Sequence, residues 1–204
     1  GSYDALEIVV NKNHNIPSIR FVNANDAERK IEKFCDSIGL EQVISSLDCK
    51  QEYEVSIEVK RFDRKLISIL YKVKWNCGGS IEDFYFQGYT FNRKNGELLR
   101  LKDWIMLANE NTTSDSFNRV AAEKNERIIR SILQESLVNN GSSICDYDNY
   151  NLFGDKNFFI TQEEFHFLPS FAKSLATCRS SENSSIAIEQ VKEQLKEPVK
   201  LLLQ

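Results

Sequence analysis

Residues 53–91 carry the pattern that most constrains this chain. Tyr53, Val55, Ile57 and Val59 alternate with Glu and Ser, the period of a strand buried on one face. Leu66, Ile67, Ile69, Tyr71, Val73 and Trp75 make a second strand, and Phe84, Phe86 and Tyr89 to Phe91 a third. Asn95-Gly96 follows, a pair that tolerates positive φ and so marks a tight hairpin turn. Leu98, Leu99 and Leu101 return from it.

Around this centre lie shorter elements. Ala5 to Val10 reads as a strand; Pro17 interrupts, and Ile19, Phe21 and Val22 resume an extended run. Asn25 or Asp26 can cap a helix whose apolar stripe is Ala27, Ile31, Phe34 and Ile38, with Gly39 near a turn. Asp103 to Leu107 reads as a helical turn. Ser116 to Leu137 is the clearest helix, with Val120, Ile128, Ile129, Ile132, Leu133 and Leu137 on its apolar face. Asn157 to Ile160, a turn at Thr161 to Glu164, and Phe165 to Pro169 predict a second hairpin. Ile186 and Ile188 predict a last strand, and Val191 to Leu203 a helix interrupted or kinked at Pro198.

Strands and helices do not alternate regularly, so an antiparallel sheet with helices on one face is the natural solution. The expected class is α+β: an antiparallel sheet with two or three helices packed on it. No stretch is rich enough in Gly, Ser or Pro to act as a linker. The expected organisation is therefore one domain over residues 3–204, with the strand and helix of 3–46 packed on the rest.

The net charge is −4 and the basic residues are scattered. Nucleic-acid binding needs a concentrated positive footprint, so that class is set aside. A mildly acidic surface suits a basic protein partner. No run approaches the about 18 apolar residues of a membrane-spanning helix. Gly1-Ser2 reads as a cloning remnant, with Tyr3 rather than Met behind it, and Met106 is the only Met. A targeting or anchoring segment is expected ahead of Tyr3 in the native protein; a trimmed tail is the alternative.

Five cysteines are present, none in a CxxC pair and none close in sequence to His14 or His166, so no zinc site is expected. Two disulfides fit an oxidising compartment, with Cys35 to Cys49 and Cys145 to Cys178 as the preferred pairs; five buried reduced thiols are the alternative.

Catalysis needs a nucleophile, a base and an orienting group, or a metal, and this chain is expected to be no enzyme. His14 lies in a polar loop. His166 points to the opposite strand face from Phe165 and Phe167, the polar face of the hairpin. Cys77 beside Gly78-Gly79 has no neighbouring His to activate it. Asp146, Asp148 and Asp155 lack the spacing of a calcium loop. Glu82-Asp83 and Glu163-Glu164 fall at turns, where solvated carboxylates are ordinary. Trp75 and Trp104 look buried by pattern.

Three stretches together resemble one family. They are Leu66-Ile-Ser-Ile-Leu-Tyr with Gly78-Gly79 and Tyr89-Thr-Phe-Asn-Arg-Lys-Asn-Gly-Glu-Leu-Leu-Arg-Leu-Lys-Asp-Trp; Asn157-Phe-Phe-Ile-Thr-Gln-Glu-Glu-Phe-His-Phe-Leu-Pro-Ser-Phe-Ala; and Ser185-Ile-Ala-Ile-Glu-Gln-Val-Lys-Glu-Gln-Leu. Over residues 53–204 the chain is similar to the extracytoplasmic domain shared by the anti-sigma factor RsiV and the non-catalytic part of the peptidoglycan deacetylase PdaC. It departs from that family at Cys77-Gly78-Gly79-Ser80, which lacks the usual His, and at Phe171, where the aromatic after Pro169 is displaced by one. The resemblance implies a binding module on the outer side of a membrane, in the periplasm or at the cell surface, of the kind that binds lysozyme.

The expected partner is therefore a basic peptidoglycan-degrading enzyme, bound without any cofactor. The alternative is a cell-wall glycan-binding module. The expected contact residues are the aromatic tip Leu168, Pro169, Ser170 and Phe171, with Phe171 either exposed or folded into the core. A second expected contact is the acidic, glycine-bearing loop with Gly78, Gly79, Glu82 and Asp83.

Overall fold

In the computed structural model the alternating runs become one long antiparallel meander. The structure describes residues 5–10, 15–47, 52–76, 78, 83–107, 116–139, 152–154, 157–169, 178 and 184–203. Two compact units divide the chain, Gly1–Leu98 and Leu99–Gln204. Antiparallel sheets and several helices make the fold α+β, as the patterning requires.

In the first unit, β1 (Leu6–Val10) pairs with β2 (Pro17–Phe21) as a two-stranded ribbon. Helix α1 (Asp26–Leu47) follows. Strands β3 (Glu52–Phe62), β4 (Leu66–Asn76), β5 (Asp83–Asn92) and β6 (Glu97–Leu99) then pair in chain order. The register sets Val55 opposite Val73, Ile57 opposite Tyr71, and Ile69 opposite Tyr89. These residues lie on one face and form a core with Ile31, Cys35 and Ile38 of α1 and Ile19 and Phe21 of β2. The register shifts between Val59 and Arg61, a bulge that carries β3 into its turn.

Asn25 begins α1 with a reciprocal cap. Its Oδ1 accepts from the Glu28 amide at 3.0 Å, and Glu28 Oε2 accepts from the Asn25 amide at 3.0 Å. The helix runs through Gly39 rather than ending there, because the stripe continues to Gln42 and Val43. Pro17 does not break the extended run; it is the first residue of β2, a position Pro tolerates. The hairpin turn forms at Asn95-Gly96 but spans four residues, 93–96: Gly96 takes φ 75°, Asn95 keeps negative φ, and the Gly96 amide donates to the Asn92 carbonyl at 2.8 Å.

The second unit contains α2 (Leu101–Trp104), α3 (Ser116–Asn139), the sheet β7 (Phe158–Ile160), β8 (Glu164–Phe167) and β9 (Ser185–Ala187), a 3₁₀ segment Ile188–Gln194, and α4 (Glu197–Leu203). Its core gathers Trp104, Ile129, Leu133, Phe158, Phe165 and Ile186. Trp104 packs edge-on against Phe165 at 5.5 Å. Leu101 starts α2 instead of extending β6, and Ile105 bridges to Leu195. Val120, expected on the apolar face of α3, is exposed. The predicted terminal helix is two elements: Leu195 takes extended geometry between them, and Pro198 lies in the first turn of α4, where no amide donor is needed.

Candidate functional site

The first unit carries a groove of about 510 Å³ between the β1–β2 ribbon and α1. Val9, Val10 and Pro17 line the ribbon side, and Leu40 and Val43 the helix side. One polar cluster crosses it. Arg20 donates to both oxygens of Asp36, at 2.9 and 3.0 Å, and Ser18 Oγ donates to Asp36 Oδ1 at 2.7 Å. These groups are partly solvated, so their contribution to stability is small. Their effect is to fix the distance between ribbon and helix.

Beside this polar cluster the groove exposes apolar side chains, Val10 at 52% and Leu40 at 61%; Ile8 and Ile44, at 47% and 58%, are exposed on the same two elements without lining it. Scattered exposed apolar residues are ordinary, but a cluster of them at a concavity is a mark of an interaction surface. Sequence reasoning missed this site, although the signal was present. Ile8-Val9-Val10 is apolar without alternation, so a ribbon covered on one face must leave some of it exposed. Leu40 and Ile44 likewise fall outside the stripe of Ala27, Ile31, Phe34 and Ile38.

At the far end of the four-stranded sheet, Tyr53, Trp75 and Tyr85 are half-buried. Trp75 meets Tyr85 edge-on at 5.4 Å. Gln42 Oε1, buried beneath them, accepts from the Tyr53 hydroxyl at 2.6 Å and the Tyr85 hydroxyl at 3.0 Å. Trp104 is buried as its pattern predicts, whereas Trp75 is only half-buried. Of the expected acidic loop, Gly78 is exposed at φ 94°, with its amide donating to Asn76 Oδ1 at 3.2 Å. Asp83 opens β5 opposite Trp75, and its Oδ1 accepts from the Phe84 amide at 2.9 Å. Cys77, Gly79 and Glu82 lie outside the described residues.

The expected aromatic tip is corrected at the two positions the structure describes. Leu168 and Pro169 are both buried. Strand pairing continues past Phe167, with the Leu168 amide donating to the Asn157 carbonyl at 2.6 Å. That bond holds Leu168 and the following proline against the unit instead of projecting them. Ser170 and Phe171 lie outside the described residues.

The cysteines are corrected in part. Cys35 is a free thiol in the core of α1, not half of a disulfide with Cys49. Burial pushes its pKa up to about 12, partly offset by the neighbouring Tyr71 hydroxyl. A thiol held neutral is no nucleophile. Cys178 is disulfide-bonded and buried. Cys49 and Cys145 lie outside the described residues.

His166 does face away from Phe165 and Phe167, but its face is covered: its ring stacks on Phe159 at 4.5 Å. His166 Nε2 stands 3.1 Å from Glu164 Oε2. Thr161 Oγ1 accepts from the amides of Glu163 and Glu164, at 3.3 and 3.1 Å, which fixes the turn. No group of three His, Cys, Asp or Glu side chains able to hold a metal exists among the described residues. A second groove, of about 390 Å³, lies in the second unit beside Glu163, Ile188, Lys192 and Leu203.

No family model matches the sequence, and no curated protein matches it. The fold does have solved counterparts. A DUF3298 family protein from Pseudomonas aeruginosa PAO1 aligns over 95% of this chain and 95% of its own, with a TM-score of 0.61 and 13% identity. A member of the DUF3298 family from Bacteroides fragilis NCTC 9343 aligns over 100% of this chain and 96% of its own, with a TM-score of 0.55 and 10% identity. At such identities the likeness is one of fold.

Proposed function

We propose that this chain is a non-catalytic protein-binding domain that works outside the cytoplasm, in the periplasm or at the cell surface. Its partner is a basic peptidoglycan-degrading enzyme of the lysozyme type, which it inhibits, neutralises as an immunity protein, or senses. The observation that carries the reading is the exposed apolar surface of the ribbon and α1: Val10 and Leu40 at the groove, with Ile8 and Ile44 exposed on the same two elements. Such a surface suits a macromolecular partner.

Two further observations support it. The bonded state of Cys178 fits an oxidising compartment. The net charge of −4 would steer a basic partner toward the chain. The mechanism is occlusion: the domain covers the partner's cleft and excludes substrate, with no cofactor. Titration of the chain into a lysozyme-type hydrolase, following binding and residual activity together, tests this. Tight binding with loss of activity is expected of an inhibitor, and binding without loss of activity of a sensor. No binding to any hydrolase of this class removes the partner assignment.

The half-buried cluster of Tyr53, Trp75 and Tyr85 favours a second reading, a cell-wall glycan-binding module, because sugars stack on such rings. Retention on purified peptidoglycan, lost in Trp75→Ala, would select it over the first.

A further inference from the structure

β1 has one partner, β2, and its other edge meets no strand among the described residues. The register defines what that edge offers. Leu6 faces Phe21, Glu7 faces Arg20, Ile8 faces Ile19, Val9 faces Ser18 and Val10 faces Pro17. The Val22 amide donates to the Ala5 carbonyl at 2.9 Å, so Ala5–Val22 is a hydrogen-bonded pair. Bonded pairs alternate in an antiparallel ladder, which makes Glu7 and Val9 the next two bonded positions. Leu6, Ile8 and Val10 therefore turn their amides and carbonyls outward. The side chains of these same three residues share one face, and those of Ile8 and Val10 are exposed.

Free backbone groups and exposed apolar side chains thus belong to the same residues. Edges of this kind are normally blunted by Lys, Pro or a bulge. β1, Leu-Glu-Ile-Val-Val, has none of these. The chemical complement of such an edge is another extended strand.

Charge selects which strand. Glu7, exposed on the opposite face, has no ion-pair partner among the described residues. Arg20 across from it is already committed to Asp36, Ser18 and the Ile19 carbonyl. In a two-fold pairing of β1 with a second copy, the outward residues match as Leu6 with Val10 and Ile8 with Ile8. That register brings the two Glu7 carboxylates to diagonal positions on one face, where they repel.

We infer that the outer edge of β1 is a strand-addition site for an extended segment of a basic partner, with apolar residues alternating with Lys or Arg. The apolar side chains lie beside Ile8 and Val10, and a basic side chain meets Glu7. This rests on the protein-binding reading above and adds its mode.

The probe is the capped peptide Val-Lys-Val-Lys-Val-Lys-Val, with its Glu-for-Lys counterpart as control. Binding to the full chain should slow hydrogen exchange at the Leu6, Ile8 and Val10 amides. Ile8→Pro removes an outward donor while leaving the ladder to β2 intact, and should abolish binding. Glu7→Lys, a surface change that does not threaten folding, should weaken the basic peptide roughly tenfold and favour the acidic one. Absent binding, equal binding by Ile8→Pro, or protection elsewhere would overturn the proposal. So would a concentration-dependent dimer lost in Ile8→Pro, which makes a second copy the occupant. A hydrolase that binds Ile8→Pro as well as the parent chain sinks strand addition and leaves the protein-binding reading standing. A hydrolase that binds neither removes that partner, while the peptide result still decides the edge.

Discussion

Arg93 and Glu28 meet as a buried ion pair across 65 residues of sequence, with Arg93 Nη2 2.5 Å and Nε 3.1 Å from Glu28 Oε1. Each end is held by other contacts. Glu28 closes the cap of α1 with Asn25 through its other oxygen. Arg93 also donates to the Asp63 carbonyl at 2.8 Å and lies 4.3 Å over the Phe62 ring. One pair thus joins the start of α1, the β3–β4 turn and the end of β5.

Removing Glu28 takes the carboxylate away from a buried guanidinium that keeps its bond to the Asp63 carbonyl and its place over the Phe62 ring. Glu28→Ala is expected to destabilise the chain by about 3 kcal/mol, more than an exposed pair could cost. Urea unfolding measures it, and a loss under about 1 kcal/mol would mean that the pair is effectively solvated. A double-mutant cycle with Arg93→Ala should show strong coupling.

Two glycines should respond in opposite directions. A Cβ on Gly96 would lie 2.4 Å from the Ala27 carbonyl oxygen, at a φ of 75°. Gly96→Ala is expected to cost at least about 2 kcal/mol. Gly39 lies inside α1, where a Cβ would meet Ile16 Cγ2 at an ordinary 3.5 Å. Gly39→Ala should be neutral or stabilise by up to about 1 kcal/mol. Thermal and denaturant midpoints of the two variants give the comparison.

Asp63 should contribute to acid sensitivity. Burial acts to raise its pKa, but the amides of Lys65 and Leu66 and the Arg61 guanidinium outweigh it and hold the carboxyl below its usual range. A depressed folded-state pKa means that the unfolded chain binds the proton more readily. The stabilisation is complete above about pH 4. It is lost as pH falls through the lowered value. Asp63→Asn should therefore unfold more easily near neutrality and show a flatter acid limb in stability measured against pH.

Cys35 should resist thiol reagents in the native chain, since burial keeps it protonated. Its raised folded-state pKa gives a contribution that is full below the unfolded thiol's value, about 8.5. That contribution declines as pH rises toward the folded value. Alkylation followed by mass spectrometry should label Cys35 in denaturant but not in buffer. Rapid native labelling would place the thiol at a mobile or open site.

Much of the fold was legible because it depends on short-range rules. Alternation in Tyr53 to Val59 dictates a one-sided strand whatever it packs on. Gly96 marks the turn before β6 because φ near 75° is costly for other residues. Asn25 with Glu28 dictates a helix start through bonds made within one turn.

What the sequence by itself determined, then, was the kind of each element and the α+β class. Tertiary structure alone decided which ends and faces are covered. Leu168-Pro169 looks like a projecting tip until the bond from Leu168 to Asn157 ties it down. Cys35 looks available for a disulfide until α1 turns it into the core. Ile8 and Val10 look like interior residues until the ribbon leaves them exposed. The physical reason is one of range: periodicity and capping act within a few residues, whereas burial and pairing depend on partners remote in the chain, as Arg93 and Glu28 are.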